Sequence, residues 1–575
     1  MNRIVLREKK QLIFFLVSLF FVMTVLLWKA FYGYVFSDEP FMISMGHRIV
    51  KGDQLFLHEW NTSQLIGLFF APFIFIYTSF SGGTEGLILF CRIIYVIWWV
   101  VAGIIIYRRL KKYGVISVIA VLMFWMYTPL DEMTLTYNAI GLSLLLVYLS
   151  YFLTKGNFFL DGINGLVLAL AVLAYPGLIL LFFIYSIIVI VYNIINHFSK
   201  GKNIKLGLTE ALSIKKYLRI TCVAAVIFLL FCCFVFFRET KGVFDSILKI
   251  LSFQSSHKPS IISLFKELIT LFPVQIICGF ICLIISIFDK SRQKRIRIYL
   301  SIQILLYFFS MFAVLTNTYY FNIVLIPFSF IGLQSIVLIK TKPYVIILFF
   351  YIFGIFVAFC WYFSSDTGLM AFSNGLLITN ISSIVCLYLL YSEAKDKMLP
   401  SNIVKYIMVA GFSLVLSVQI GSELFIKVQR TYWDELFPSL NTSINVGASK
   451  NIITTESNAK EYTAIYEDVQ KIKRLTDFDS SKKFLSLSLL PFIYLDLDYE
   501  YACFSTWTYS NNNNDFDIVN NKLEMYYDTN PEKRPDIIYI NIEDNACLDQ
   551  IKCIDLNNYV ETKIKTGRVF VINKD

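Results

Sequence analysis

Apolar runs of about 20 residues recur between positions 11 and 424, separated by short polar stretches. Each is long enough to cross the roughly 30 Å hydrocarbon core as a helix, whose backbone hydrogen bonds close within the segment. The pattern predicts spans over 11–36, 86–107, 115–127, 137–153, 163–175, 177–195, 220–237, 268–288, 299–315, 321–339, 344–363, 376–390 and 403–424, about 13 crossings. From position 429 the pattern changes. Ala459, Tyr462, Ile465, Val469 and Ile472 fall at helical spacing, whereas 484–490, 537–542 and 568–572 read as strands. The expected fold is a polytopic α-helical membrane protein, 1–428, followed by a C-terminal extracytoplasmic α/β domain, 429–575.

Composition agrees with that division. At 57% hydrophobic and 16% charged residues, the chain is too apolar for a soluble domain set. The net charge of +10 does not point to nucleic acid, because the Lys and Arg form short clusters between apolar runs, as the positive-inside rule expects. Arg3, Arg7, Lys9 and Lys10 precede the first run, so the N-terminus is expected to be cytoplasmic and the run an uncleaved anchor. Arg108, Arg109, Lys111 and Lys112 are cytoplasmic by the same rule, which leaves room for one returning span after the first. The segment 64–80, with Pro72 inside it, is therefore predicted not to cross. That leaves 37–85 as a large first external loop and 128–136 as a short second one. Counting onward, the odd number of crossings puts the tail outside. Most of the cysteines lie in or beside spans and behave as small hydrophobes. Cys503, Cys547 and Cys553 lie in the tail, where the last two could pair if the tail is extracytoplasmic, although the odd count argues against a disulfide framework.

Candidate chemistry concentrates in the first loop, FSDEPFMISMGHRIVKGDQLFLHEWNTSQL. Pro40 suits the first turn of a helix and Gly52 its end. Phe41, Met45 and Ile49 form an apolar stripe that would lie on the membrane surface. Asp38 then stands at the helix start. One reading is an N-cap accepting backbone N–H bonds. The other is a general base at the water–lipid boundary, a role that typically contributes about 10² to 10⁴ in rate. Asp38 and Glu39, as neighbours on an extended segment, would point to opposite sides and not share one job.

On these features the chain resembles the GT-C superfamily of integral-membrane glycosyltransferases, in its protein O-mannosyltransferase-like and aminoarabinose-transferase-like branches. The resemblance rests on Asp38-Glu39 directly after the first span, the segment ending in Lys51-Gly52-Asp53, the following His58-Glu59-Trp60 and Gln64, and a tail after many spans. It implies a sugar donor carried on a polyprenyl phosphate and a glycan, lipid or protein acceptor at the outer face of a bacterial plasma membrane. It further implies a single inverting displacement with Asp38 as base. The departing phosphate needs positive charge, for which Arg48, Lys51, His257 and Lys258 are candidates. Glu39, His58, Glu59 and Gln64 join them as substrate-binding candidates. So do Asp131, Glu132, Tyr137 and Asn138 in the second loop, because some family members place an acidic pair there. A divalent metal bridging that pair to the first loop is conceivable, but no ligand spacing calls for one. His47, His58 and His257 with Glu59 would form a zinc site only if distant loops converged. Asn317, Tyr319, Tyr320 and Asn322 could bond a sugar, or anchor a span at the interface. Arg430 to Glu435, RTYWDE, leads into the tail over the expected mouth of the site.

The rival reading is a transporter or flippase for lipid-linked sugars, which would place polar residues at mid-membrane and often shows internal repeats. Neither is evident in the sequence. A membrane scaffold with a binding tail is a third reading and leaves the first loop without a purpose.

Overall fold

A computed structural model describes residues 2–198, 208–237, 239–252, 260–288, 302, 304–310, 325–340, 342–365, 367–397, 402–507, 516–541 and 553–573. Within them, eight helices are long and apolar enough to cross a membrane, or nine if the bent pair Ile261–Leu271 and Ile276–Ile285 is one span. Shorter apolar helices, Val115–Asp131, Tyr137–Tyr151, Phe158–Ala174 and Leu325–Leu338, complete the bundle. Of the predicted span 299–315 only 302 and 304–310 are among the described residues, and of 321–339 only 321–324 fall outside them.

Helix α1 (Asn2–Ala30) shows why the bundle belongs in lipid: Leu12, Ile13, Leu16, Val17 and Phe20 are exposed while Val22 and Leu26 are buried against neighbours. Its far end is tied to the following antiparallel hairpin by Gln11, whose Nε2 donates to the Lys111 carbonyl at 3.1 Å. Its near end meets the tail, where Gly33 N donates to the Ile453 carbonyl at 2.8 Å and Ile453 N to the Phe31 carbonyl at 2.7 Å.

Next come α2 (Asp38–Val50), α3 (Gly67–Ser81) and α4 (Leu87–Leu110). Helices α2 and α3 lie in close contact because glycines remove the intervening side chains. A Cβ on Gly46 would stand 2.4 Å from the Phe70 Cβ, and one on Gly67 would stand 2.7 Å from the Met45 carbonyl oxygen. By length and composition Gln64–Ser81 could cross a membrane. Its ends, however, both return to the tail: Trp60 N donates to the Phe504 carbonyl at 2.7 Å, and Thr84 Oγ1 to the Leu495 carbonyl at 2.7 Å.

Helix α2 occupies the region expected of it but not the surface. Its stripe was expected against the membrane, yet Phe41 and Met45 are 5% and 2% exposed. The physical reason is the tail, whose short helix Phe492–Leu497 packs on α2 from above while α3 and α4 close the other sides.

Helices α5 (Val115–Met126), α6 (Tyr137–Tyr151) and α7 (Phe158–Ala174) follow as an up-and-down series. At the end away from the tail, Arg109 donates to Thr154 Oγ1 at 2.7 Å and Arg219 to Asp161 at 3.1 Å, which gathers several of the basic clusters on one side. The tail holds a five-stranded sheet in the order Glu500–Tyr501, Lys483–Leu487, Ile537–Asn541, Gly567–Ile572, Tyr559–Lys563. The first three strands run parallel and Gly567–Ile572 antiparallel to both of its neighbours. Thr455 caps the helix Glu456–Leu475, which buries Ala459, Tyr462, Ile465, Val469 and Ile472, the stripe read from the sequence.

Candidate functional site at the bundle mouth

Asp38 is the first residue of α2 and is half-buried; the preceding Ser37 donates its hydroxyl to Asp38 Oδ2 at 3.2 Å. Standing in the first turn instead of before it, the carboxylate meets the positive end of the helix dipole. Glu39 has a different environment. It is fully buried, and Arg92 on α4 grips both of its oxygens, Nε to Oε1 at 2.9 Å and Nη2 to Oε2 at 2.5 Å. Arg92 also donates to the Ala30 carbonyl at 3.0 Å, so one guanidinium joins the ends of α1, α2 and α4.

The second loop joins α5 to α6, with Thr136 capping α6 by accepting from Ala139 N at 3.1 Å. Within the loop Leu130 and Asp131 have φ of 51° and 56°, the left-handed region. Facing it, the end of the last bundle helix, Asn402–Arg430, turns into the tail through Tyr432 and Trp433, at φ 71° and 54°. Left-handed backbone at residues other than glycine costs of order 1–3 kcal/mol each and persists only where the surroundings over-determine it. Here they do: Tyr432 OH donates to the Met133 carbonyl at 3.0 Å and Trp433 Nε1 to the Leu130 carbonyl at 3.1 Å. Lys427 Nζ donates to the Tyr127 carbonyl at 3.3 Å and to Thr128 Oγ1 at 2.5 Å.

The two acidic pairs converge. Glu132 is buried, and its carboxyl is pushed well above the ordinary range, first by burial and then by the charges of Asp38, Glu39 and Asp131, with Arg92 opposing. Burial and neighbouring carboxylates both disfavour its ionised form. Asp38, half-buried and bonded to Ser37, is the member of this group that retains access to solvent.

Other first-loop candidates are placed elsewhere. At 1.5 Å rise per residue, Arg48 stands about 15 Å along α2 from Asp38, and Lys51 about 20 Å. Arg48 is buried and donates to Asp53 at 2.7 Å, Glu59 at 2.6 Å, the His58 carbonyl at 2.5 Å and the Cys503 carbonyl at 2.8 Å. Lys533 of the tail adds an ion pair to Asp53 at 2.6 Å. Lys51 pairs with Asp498 at 2.6 Å, and His47 Nε2 lies 2.9 Å from the same carboxylate. Burial lowers the His58 pKa to about 4, leaving the ring neutral as it accepts from Gln54 N at 2.9 Å. Gln64 Oε1 accepts from Phe56 N at 2.6 Å. Arg48, Lys51, His58, Glu59 and Gln64 thus fold the loop and bolt it to the tail.

Asn138 Oδ1 accepts from Trp361 Nε1 at 2.5 Å, and Tyr137 stacks on Tyr175, which stacks on Trp361 at 4.2 Å between centroids. These form an aromatic shelf behind the second loop. His257, Lys258, Asn317, Tyr319, Tyr320, Asn322 and Cys547 lie outside the described residues. Among the described residues, no three His, Cys, Asp or Glu side chains are placed to hold one metal ion.

Reading the sequence missed Arg92 and Lys427. The signal available was a lone cation inside an apolar run, which is costly in lipid and therefore retained for a reason.

No protein-family model matches the chain, and no curated protein matches it. Among solved structures it is similar to the crystal structure of the Archaeoglobus fulgidus oligosaccharyltransferase tethered with an acceptor peptide containing the NVT sequon via a disulfide bond. The identity is 12% over 97% of this chain and 74% of that chain, with a TM-score of 0.44.

Proposed function

We propose that the chain is a membrane glycosyltransferase that moves a sugar from a polyprenyl phosphate to an acceptor at the outer face, with inversion and with Asp38 as the general base. The observation that carries this reading is the convergence of Asp38 with the Asp131-Glu132 turn at the tail-side mouth of the bundle, framed by left-handed turns that cost free energy to hold. A half-exposed carboxylate near a buried one whose charged form is disfavoured separates the roles. Asp38, half-buried, is assigned the proton transfer, and burial disfavours a charge on Glu132.

In the proposed step, the acceptor hydroxyl gives its proton to Asp38 while its oxygen bonds to the anomeric carbon. The bond from that carbon to the phosphate oxygen breaks, and the lipid phosphate leaves with the electron pair. Positive charge built up on the sugar ring would be stabilised by the acidic mouth. The tail, bolted to the first loop by Arg48 and Lys533, serves as a fixed roof over the mouth.

One observation favours a second reading, a transporter of lipid-linked sugars: Gln419, Glu423 and Lys427 form a buried polar column within a span. A single experiment separates the two. Purified protein in vesicles is given a panel of polyprenyl-phosphate sugars, and both glycosidic product and movement of the lipid between leaflets are measured. Product without accelerated movement supports the transferase; movement without product overturns it.

A further inference from the structure

Gln419, Glu423, Lys427 and Thr431 are spaced by four, which puts them on one face of the helix Asn402–Arg430 and its exit. They are 1%, 1%, 0% and 2% exposed, whereas Leu414 and Phe425 on the same helix are exposed at 53% and 51%. The face is held from within the bundle by Tyr307, whose hydroxyl donates to Gln419 Oε1 at 2.8 Å, and Gln419 in turn reaches Glu423 at 3.4 Å. At the top of the column Lys427 leaves its own helix. Its ammonium sits on Tyr127, the residue that closes α5, where a cation meets the negative end of a helix dipole.

We propose that Lys427 is a positioning residue that sets the second-loop turn and thereby fixes where Asp131 and Glu132 stand in the mouth. The turn begins at its second partner, Thr128, and is closed by weak internal bonds, Asp131 N to the Thr128 carbonyl at 3.2 Å and Glu132 N to the Pro129 carbonyl at 3.3 Å. Trp433 and Tyr432 pin the middle and end of the turn through the Leu130 and Met133 carbonyls, and Lys427 pins its root. Released at the root, the turn relaxes toward right-handed backbone and displaces both carboxyls.

This rests on the transferase reading for its effect on turnover and on geometry alone for its effect on the turn, so the test has two arms. Full-length wild type, K427M, K427R and T128A are compared in lipid nanodiscs by amide hydrogen exchange over 128–136. The same preparations are assayed with the polyprenyl-phosphate sugar that wild type turns over. K427M and T128A are expected to speed exchange in that segment and not in the tail sheet. Both should lower kcat with KM little changed, K427M by about 10²-fold, the scale of a small misplacement at a reacting centre, and K427R should recover most of both losses. T128A keeps the buried charge in place and so covers the case in which K427M does not fold. Exchange in 128–136 unchanged in both K427M and T128A overturns the proposal. Faster exchange with no turnover by wild type on any donor leaves the clamp standing and sinks the transferase reading instead.

Discussion

The guanidinium of Arg92 lies 3.4 Å over the ring of Tyr432 while its edge holds Glu39. Through this one side chain the start of α2, which presents Asp38, is linked to the turn that faces Asp131 and Glu132. Removing one partner of a buried ion pair strands the other charge, at a cost of about 3–5 kcal/mol, whereas replacing both by apolar groups is often close to neutral. R92M and E39L are each expected to lower the unfolding temperature in detergent, and the double variant R92M/E39L to recover much of the loss. Single variants as stable as wild type would show that the pair does not hold the mouth together.

Glu132 gives a prediction with a definite sign. Its folded pKa is raised, so stability is fully present below the unfolded carboxyl value and is lost as pH rises from there. E132Q carries no such penalty. At pH 7 it is expected to be at least as stable as wild type, with the advantage vanishing near pH 4, and to retain turnover. The opposite trend, an advantage that grows on acidification, would mean that Glu132 is ionised in the folded protein.

At the seam between first loop and tail, two groups pull in opposite directions. His58 is depressed to about 4 by burial, so its contribution is full above the unfolded His value and is lost as pH falls from about 6.5 to about 4, by roughly 3 kcal/mol. Asp496 is raised to about 7 by burial, despite accepting from Ala448 N and Tyr462 OH, so its contribution is lost as pH rises from about 4 to about 7. Relative to wild type, D496N should make stability climb more steeply with pH across this window, and H58Q should make it climb less. Thermal unfolding at half-unit pH steps measures both slopes; equal slopes in all three proteins would contradict the assignment.

How much of this could be read from the chain depended on the range of the interaction. The α2 helix was legible from Pro40 and Gly52, and Glu456–Leu475 from its stripe, because periodicity and turn residues are local. Asp38 and Glu39 do meet different surroundings, but as the first two residues of α2 and not as neighbours on an extended segment. The burial of α2 was not legible: the side that looked membrane-facing is covered by Phe492–Leu497, far away in the chain. Arg48 looked like a free cation for the same reason, since Glu59 and Asp53 are near in sequence but the Cys503 carbonyl is not. Reading Glu423 and Lys427 as part of an apolar run hid a buried polar face that only the packing of Tyr307 and α5 discloses.

The central claim is that Asp38 removes the acceptor proton. The most direct measurement is single-turnover sugar transfer by D38N beside wild type, with binding of the lipid-phosphate donor measured on the same preparations. D38N keeps the side-chain size and the bond from Ser37 but loses the base. Transfer is expected to fall by about 10² to 10⁴, the range for removing a general base, with donor affinity and unfolding temperature close to wild type. Transfer at the wild-type rate by folded, donor-binding D38N would contradict the account.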